Sequence, residues 1–123
     1  MTARARPVQS SAMNKVEAAY AARLELLRRA GEIRSWRYEP VRFVLGKACS
    51  YLPDFMVVLN DGTVEFVETK SMWRSKGRKR AGWKEDSRVK WKVAARMFPE
   101  FRFRAAVKDG ASWVMEDAEC SAP

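Results

Sequence analysis

Three charged residues interrupt two otherwise apolar segments near the middle of the chain. Asp54 follows Pro53 at the start of the first segment, and Glu68 and Lys70 lie near the end of the second. Burying an ionised carboxylate without a partner costs several kcal/mol. These side chains therefore need a counter-ion, a metal ion or an exposed cleft. Carboxylate oxygens are the ligands that hard divalent cations prefer.

The two segments predict a β-hairpin whose loop length decides whether Asp54 and Glu68 meet. Opposed residues of an antiparallel pair lie on the same side of the sheet. A two-residue Asp-Gly turn would pair Asp54 with Thr69 and send Glu68 to the far face. A three-residue loop over 60–62, with Gly62 left-handed, pairs Asp54 with Glu68. We expect this loop, because opposed Cβ atoms lie ~5 Å apart, which suits two carboxylates that share a cation.

A basic segment follows the charged pair. Residues 71–92 contain nine Lys or Arg and two acidic residues, so most of the net charge of +9 falls there. This density is typical of a polyanion-binding protein, although a solvated loop could have the same composition. The candidate nucleic-acid contacts are Arg74, Lys76, Arg78, Lys79, Arg80, Lys84, Arg88, Lys90 and Lys92. Three tryptophans are interleaved with the basic residues, Trp73, Trp83 and Trp91. We expect at most one of them to stack on an unpaired base.

Composition bounds the class of protein. The chain has 123 residues, 47% hydrophobic and 32% charged, which is typical of one folded domain with a single core. The sequence has no histidine, which excludes histidine-dependent nucleases, Ser-His-Asp hydrolases and most zinc sites. We see neither a membrane-spanning run nor a signal-peptide pattern, so we expect reduced Cys49 and Cys120 and a cytoplasmic protein.

Periodicity predicts the elements that must position the charged residues. We expect a disordered basic arm over 1–12, a single domain over 13–116 and a frayed tail over 117–123. Glu17 would lie at the edge of the apolar stripe of the first helix, which Ser10, Ser11 or Asn14 could cap. The fold class is α/β, a mixed sheet flanked by helices in the order α-β-β-β-α-β. The expected first half is a helix over 14–30 ended by Gly31, an edge or bulged strand over 33–45 interrupted by Pro40, and a loop over 46–50 before the central hairpin. The expected second half is a mobile loop over 72–83, a helix capped by Asp86 or Ser87 that runs to about Phe98, and strands over 101–107 and 112–115.

The central stretch resembles the PD-(D/E)XK nuclease motif. Pro53-Asp54 is followed, after thirteen residues, by Glu68-Thr69-Lys70. The predicted order of elements is also that of the superfamily's core, so the resemblance covers about residues 14–107. The sequence also looks like a family of small phage and prophage proteins. Within the superfamily it is most similar to phage endonuclease I and archaeal Holliday junction resolvases.

The resemblance implies a restriction-endonuclease-like core and Mg²⁺-dependent hydrolysis of DNA phosphodiester bonds, with Mn²⁺ as a substitute. Asp54 and Glu68 would be metal ligands, with the Thr69 main-chain carbonyl a further one. Glu17 would complete the site or hold a second metal ion, although its position alone favours a boundary glutamate paired with a neighbouring base. Lys70 would orient the attacking water or stabilise the pentavalent phosphate.

The implied substrate is branched DNA, such as a four-way junction. Two symmetric incisions need two active sites, so a homodimer is expected. The alternatives are a flap, single-strand or nicking nuclease of the same fold, and a basic DNA-binding protein without catalysis. We expect no membrane partner and no small-molecule cofactor; a phage-encoded protein would act in the bacterial host cytoplasm.

Overall fold

The computed structural model describes residues 4–7, 12–75, 77–84 and 86–118. Within these ranges the chain forms two helices and nine strands. In chain order they are β1 (Arg4–Pro7), α1 (Lys15–Arg29), β2 (Ser35–Tyr38), β3 (Val41–Gly46), β4 (Cys49–Tyr51), β5 (Phe55–Val58), β6 (Val64–Ser75), β7 (Arg78–Ala81), α2 (Ser87–Met97), β8 (Arg102–Asp109) and β9 (Ser112–Asp117). No helix in these ranges combines the length and apolar character needed to cross a membrane.

The main sheet has the strand order β2-β5-β6-β8-β9, and β7 pairs with the last residues of β6. β2, β5 and β6 are antiparallel neighbours, whereas β8 runs parallel to β6. A parallel neighbour requires a crossover connection, and α2 lies in that connection. The protein is therefore a mixed α/β protein. In chain order the two helices and the first four strands of this sheet are α1, β2, β5, β6, α2 and β8, with β3 and β4 between β2 and β5 and with β7 between β6 and α2.

Apolar clusters cover both faces of the main sheet. This explains why residues of both parities are apolar in β5 and β8. On one face α1 contributes to a cluster of Tyr20, Ala21, Leu24, Ile33, Phe55, Val57, Val67 and Ala106. On the other face α2 and β3 contribute to a cluster of Phe43, Leu45, Tyr51, Phe66, Trp91, Ala94, Ala95, Phe98, Phe103 and Ala105.

Both predicted helices are confirmed. Asn14 caps α1 through a capping box, because its side chain accepts the Glu17 N–H and Glu17 accepts the Asn14 N–H, each at 2.8 Å. Gly31, with φ of 76°, supplies the left-handed residue that ends α1. α2 ends at Met97, two residues before Pro99.

A second sheet, which we call the small sheet, consists of β1, β3 and β4 in the order β1-β3-β4. The prediction of a disordered arm is wrong for residues 4–7, which pair with β3. The predicted single strand over 33–45 is also wrong. Its two halves belong to different sheets, because the chain turns at Glu39, with φ of 43°, before Pro40. The predicted loop over 46–50 contains the first residues of β4.

The predicted mobile loop over 72–83 is largely a β-hairpin. β6 continues to Ser75, and β7 pairs with it antiparallel, from Met72 opposite Ala81 to Ser75 opposite Arg78. We call residues 72–81 the basic hairpin. Because β6 carries both Glu68 and one arm of this hairpin, the strand itself fixes the basic residues next to the charged pair. Lys76 lies outside the described residues.

The predicted frayed tail is wrong for its first two residues, since the Ala118 N–H donates to the Phe103 carbonyl at 2.9 Å and Asp117 is also held. Asp117 belongs to β9 and accepts hydrogen bonds from Arg102 at 3.3 Å and from Arg104 at 2.9 Å. These contacts hold β9 against β8. Residues 119–123 of the predicted tail lie outside the described part of the chain.

Candidate active site

The β5–β6 loop has the predicted length. β5 and β6 pair with Phe55 opposite Val67 and Val58 opposite Val64. The Leu59 N–H donates to the Thr63 carbonyl at 2.8 Å, and Gly62 has φ of 91°. The three-residue loop over 60–62 is therefore confirmed. One step beyond Phe55, the same register sets Asp54 opposite Glu68, as the parity of the two strands predicts.

Asp54 is a buried carboxylate held by the neighbouring strand. The residue is only 8% exposed, and its Oδ2 accepts the Thr69 N–H and the Thr69 hydroxyl, each at 2.8 Å. Burial, followed by repulsion from Glu68, raises the pKa of Asp54 to about 8. The two hydrogen bonds from Thr69 act in the opposite direction but do not cancel these effects.

Glu68 is buried to the same extent and has two partners. The Tyr51 hydroxyl donates to Glu68 Oε1 at 2.8 Å, and Lys70 Nζ lies 3.2 Å from Oε2. Burial raises the pKa of Glu68, while Lys70 and the Tyr51 hydrogen bond lower it. Burial also raises the pKa of Tyr51 well above its usual value, so the phenol stays protonated and remains a donor.

Two aromatic side chains of the site were not predicted from the sequence. Tyr51 contacts Glu68 because β4 places it on the inner side of the small sheet. Trp83 lies beneath Lys70, whose Nζ is 5.0 Å from the ring centroid, a cation–π distance. The only sequence signal for Tyr51 is that it lies three residues before Asp54. Trp83 carries no signal, because its position depends on the path of the chain after the basic hairpin.

Glu17 lies on α1, in its first turn, close enough to both carboxylates to raise the pKa of Asp54 and of Glu68 by repulsion. Its Oε1 accepts the Asn14 N–H at 2.8 Å and the Tyr38 hydroxyl at 2.9 Å. The structure thus brings Glu17 near the pair, with a helix-capping contact. Its role as a metal ligand stays a prediction.

The predicted nucleic-acid contacts divide into two groups. In the basic hairpin, Arg78, Lys79 and Arg80 are exposed, and Lys79 is paired with Asp109 at 2.9 Å. Of Arg74 only the backbone is described, and Lys76 is outside the described ranges. The hairpin therefore presents exposed positive charge on the strand that follows Glu68 and Lys70.

The second group surrounds α2. Lys84 and Lys92 are exposed, and Lys90 lies 3.7 Å from Asp86. The Arg88 guanidinium pairs with Glu116 and lies 5.4 Å from the ring centroid of Trp83 and 5.6 Å from that of Trp91. Arg88 therefore has a clear structural role, which its charge pattern alone does not reveal.

The charge balance around Asp54 and Glu68 differs from that around the other buried glutamate of β6. Glu65 lies 3.1 Å from Arg102 and 3.6 Å from Arg104, and both arginines also pair with Asp117, so two arginines neutralise two carboxylates. At the Asp54–Glu68 pair, the only ion pair among the described residues is the one with Lys70. Two carboxylates share one lysine, and Glu17 adds further negative potential. The site thus has an excess of negative charge that a proton or a cation would neutralise.

The donor atoms at this pair fit Mg²⁺ or Mn²⁺. Within the described ranges no three His, Cys, Asp or Glu side chains converge closely enough to hold a metal ion by themselves. Mg²⁺ keeps several waters and is commonly bound by one or two carboxylates, so Asp54 and Glu68 suffice. The Thr69 N–H faces Asp54, and in a strand the carbonyl of the same residue lies on the same edge. That carbonyl is the candidate third ligand.

Neither a protein-family model, nor a curated protein, nor a solved structure matches this chain. The function proposed below therefore depends on the chemistry of the charged pair, on the order of the elements and on the distribution of positive charge.

Replacing Tyr51 with Phe should weaken Mg²⁺ binding. The substitution removes the hydroxyl that donates to Glu68 but keeps the buried ring. Because this hydrogen bond lowers the pKa of Glu68, its loss should favour the protonated carboxyl, which cannot bind the ion. We expect about a tenfold weaker Mg²⁺ affinity at pH 7, with a smaller difference at higher pH. The measurement is Mg²⁺-dependent thermal stabilisation at several pH values.

Tyr20→Phe is the matched control, because Tyr20 is another buried tyrosine and the charged groups that act on it are Glu65, Arg104 and Arg23. Its Mg²⁺ affinity should change less than that of Tyr51→Phe. Equal affinities of Tyr51→Phe and the unmodified protein at every pH would show that the Tyr51 hydrogen bond does not tune Glu68 as a ligand.

Proposed function

We propose that the protein is a metal-dependent endonuclease that cuts branched DNA. The observation that carries this proposal is the pair of buried, opposed carboxylates, Asp54 and Glu68, balanced by a single lysine. An arrangement of this kind is unfavourable in a purely structural role, since repulsion and burial both oppose ionisation. A divalent cation turns the same arrangement into a favourable one.

The order of elements supports the nuclease assignment. When the strands outside the main sheet and β7 are set aside, α1, β2, β5, β6, α2 and β8 have the α-β-β-β-α-β order that the PD-(D/E)XK resemblance implies, which supports the proposal. The candidate site lies where β5 begins and in the middle of β6, as the motif requires. The small sheet and the basic hairpin lie outside this series of elements. They do not interrupt the contact between β5 and β6.

The chain's own residues have distinct roles in the proposed reaction. Asp54 and Glu68 would hold the metal ion, which would supply hydroxide at neutral pH and stabilise charge on the phosphate oxygens. Thr69 fixes Asp54 through two hydrogen bonds, and Tyr51 fixes one oxygen of Glu68. Lys70 remains on the other oxygen of Glu68, where its ammonium group can stabilise the negative charge that develops on the scissile phosphate.

The surface next to the site supports DNA as the substrate. The basic hairpin continues directly from the strand that carries Glu68, and its exposed charges suit a phosphate backbone. Trp73 on this hairpin is 62% exposed, whereas Trp91 is fully buried and Trp83 packs on it with ring centroids 5.0 Å apart. Trp73 is therefore the tryptophan available to stack on an unpaired base, which branched DNA offers and regular duplex does not.

Cutting a four-way junction symmetrically requires two incisions. One chain has one Asp54–Glu68 pair, so we propose that two copies act together as a homodimer. A flap, single-strand or nicking nuclease would need only one site. The substrate preference and the oligomeric state are therefore linked and can be measured on the same preparation.

The proposal is tested by incubating the protein with labelled four-way junction, flap, duplex and single-stranded DNA of matched sequence. Each substrate is incubated with Mg²⁺, with Mn²⁺ and with a chelator, beside the Asp54→Asn variant. We expect cleavage of the junction only with metal, and a rate at least about a thousandfold lower for Asp54→Asn, since metal stabilisation of the transition state is worth several kcal/mol.

The outcomes separate the candidate functions. Binding without metal-dependent cleavage of any substrate would overturn the enzyme assignment and favour a non-catalytic DNA-binding protein. Equal cleavage of junction and duplex would overturn selectivity for branches but keep the nuclease. Sedimentation of the protein with junction DNA should give two chains per junction; one chain per junction would favour a flap or nicking activity.

A further inference from the structure

The outer face of the small sheet is strongly basic. Residues 4–7 and 41–51, which form its strands and the β3–β4 turn, include four basic residues and no Asp or Glu. The basic residues are Arg4, Arg6, Arg42 and Lys47. All four are exposed. None belongs to the basic segment over 71–92, so the small sheet is a separate source of positive charge.

The strand register places these charges on one face. Phe43 is opposite Tyr51, and both are buried on the inner face. Arg42 alternates with Phe43 and therefore points to the outer face. Arg6 is directly opposite Arg42, and Arg4 is opposite Val44, so both arginines of β1 share that outer face.

Two arginines directly opposite each other repel, which destabilises a sheet unless an anion lies between them. Arg42 Nη1 has a hydroxyl partner, Ser50 Oγ, at 3.2 Å, which orients the guanidinium without neutralising it. The four basic side chains, with Ser50, line a concave surface of about 810 Å³. No carboxylate of the described residues forms an ion pair with these side chains, and a concave, arginine-rich face of this kind suits the oxygens of a phosphate backbone, which the guanidinium fork can bind in pairs.

This face is directly connected to the candidate active site. β4 presents Ser50 to the outer face and Tyr51 to the inner side, where the Tyr51 hydroxyl holds Glu68. Two residues later the chain reaches Pro53 and Asp54. A nucleic acid held on the outer face is therefore bound by the strand that leads into the site.

We propose that the outer face of the small sheet is a second DNA-binding surface, which contacts the phosphate backbone of a duplex arm independently of the basic hairpin. The inference rests on the proposed function for the identity of the polyanion as DNA. Backbone contacts of this type position the substrate without reading its sequence. A branched substrate has more than one duplex arm, so a second surface suits it.

The test compares two double variants with the same change in net charge. Arg6→Gln with Arg42→Gln removes the opposed pair, and Arg23→Gln with Arg29→Gln removes two exposed arginines of α1. The dissociation constant for a fluorescent duplex is measured by anisotropy at several salt concentrations, in chelator, so that cleavage does not interfere. In a plot of log affinity against log salt concentration, we expect the slope to become less steep by about 2 for the first variant. The control should stay closer to the slope of the unmodified protein.

Arg6→Lys with Arg42→Lys keeps the charge and should retain most of the slope, and circular dichroism checks that each variant is folded. Equal slopes for the two Gln pairs would overturn the proposal. Loss of binding to anionic phosphatidylserine vesicles without loss of duplex binding would also overturn it, in favour of a lipid surface. If the slope falls for Arg6→Gln with Arg42→Gln but the protein cleaves no substrate, the DNA surface stands and the nuclease proposal fails.

Discussion

The metal-free protein should lose stability as the pH rises from 5 to 8, and Asp54→Asn should remove most of that loss. Burial and Glu68 raise the pKa of Asp54 from its ordinary 3.8 to about 8 in the folded protein. Between these values the folded state holds a proton that the unfolded state has released. The free energy of unfolding is therefore highest below the unfolded pKa and falls with rising pH, by up to about 1.4 kcal/mol per pH unit for one group.

Urea unfolding in chelator at pH 5, 6, 7 and 8 measures this effect. In Asp54→Asn the amide oxygen can still accept the Thr69 hydrogen bonds, and the neutral side chain no longer repels Glu68, so the variant should be more stable than the unmodified protein at pH 8. Asp61→Asn is the matched control. Thr63 hydrogen bonds lower the pKa of Asp61, so Asp61 is ionised in both states over this range and its replacement should leave the pH slope unchanged. An undiminished slope in Asp54→Asn would assign the titration to other groups.

Adding Mg²⁺ at pH 8 should restore the free energy of unfolding that the unmodified protein loses at this pH. A ligand that binds only the folded state stabilises it by about 2.7 kcal/mol at 100 times its dissociation constant. The same addition should have little effect on Asp54→Asn, which lacks one of the two carboxylates. Below pH 6 the stabilisation should shrink, because protons compete with the ion for the raised-pKa pair.

The register of the central hairpin was predictable once the chemistry of its charges was considered. The residues alone allowed a two-residue or a three-residue loop, the expectation that Asp54 and Glu68 share a cation selected the three-residue loop, and the structure has that loop. A loop of this kind depends on a few neighbouring residues. The end of α2 before Pro99 was predictable for the same reason, and Asn14, which caps α1, was one of three predicted candidates for that cap.

The small sheet could not be predicted because its pairing is long-range. β1 pairs with β3 across more than thirty residues of chain, and no local pattern in Arg4–Pro7 indicates a partner. Likewise, Pro40 signals an interruption of the segment over 33–45. It does not signal that the two halves join different sheets. The role of Tyr51 follows from the small sheet, so it was missed with it.

The basic segment shows how composition can mislead about order. Glycine and many like charges over 72–83 suggested a mobile loop, yet β6 continues through the site and forms a hairpin with β7. The composition was uninformative about the conformation, because charge sets the electrostatic field while pairing depends on the strand that precedes it, and the polyanionic partner that it indicates stays a prediction. Arg88 gives the opposite case, a basic residue whose charge is matched by Glu116 within the fold.

Lys70→Met should reduce metal-dependent cleavage by about a hundredfold to a thousandfold while leaving DNA binding nearly unchanged. Lys70 Nζ lies 3.2 Å from Glu68 Oε2 and 5.0 Å from the ring centroid of Trp83, so the charge is held inside the site and is not displayed on the surface. Methionine keeps a long apolar side chain against Trp83 but removes the positive charge from the reacting phosphate. Cleavage is measured under single-turnover conditions, and binding by anisotropy in chelator.

Lys79→Met provides the matched control, because Lys79 is an exposed lysine of the basic hairpin. That variant should bind DNA more weakly and, once saturated, cleave it at the unmodified rate. Lys70→Arg separates charge from geometry: it keeps the positive charge, but its planar group cannot replace a compact ammonium in the same space. If Lys70→Met cleaves as fast as the unmodified protein, Lys70 is only the structural counter-ion of Glu68, and the stabilisation of the phosphate must come from the metal ion alone.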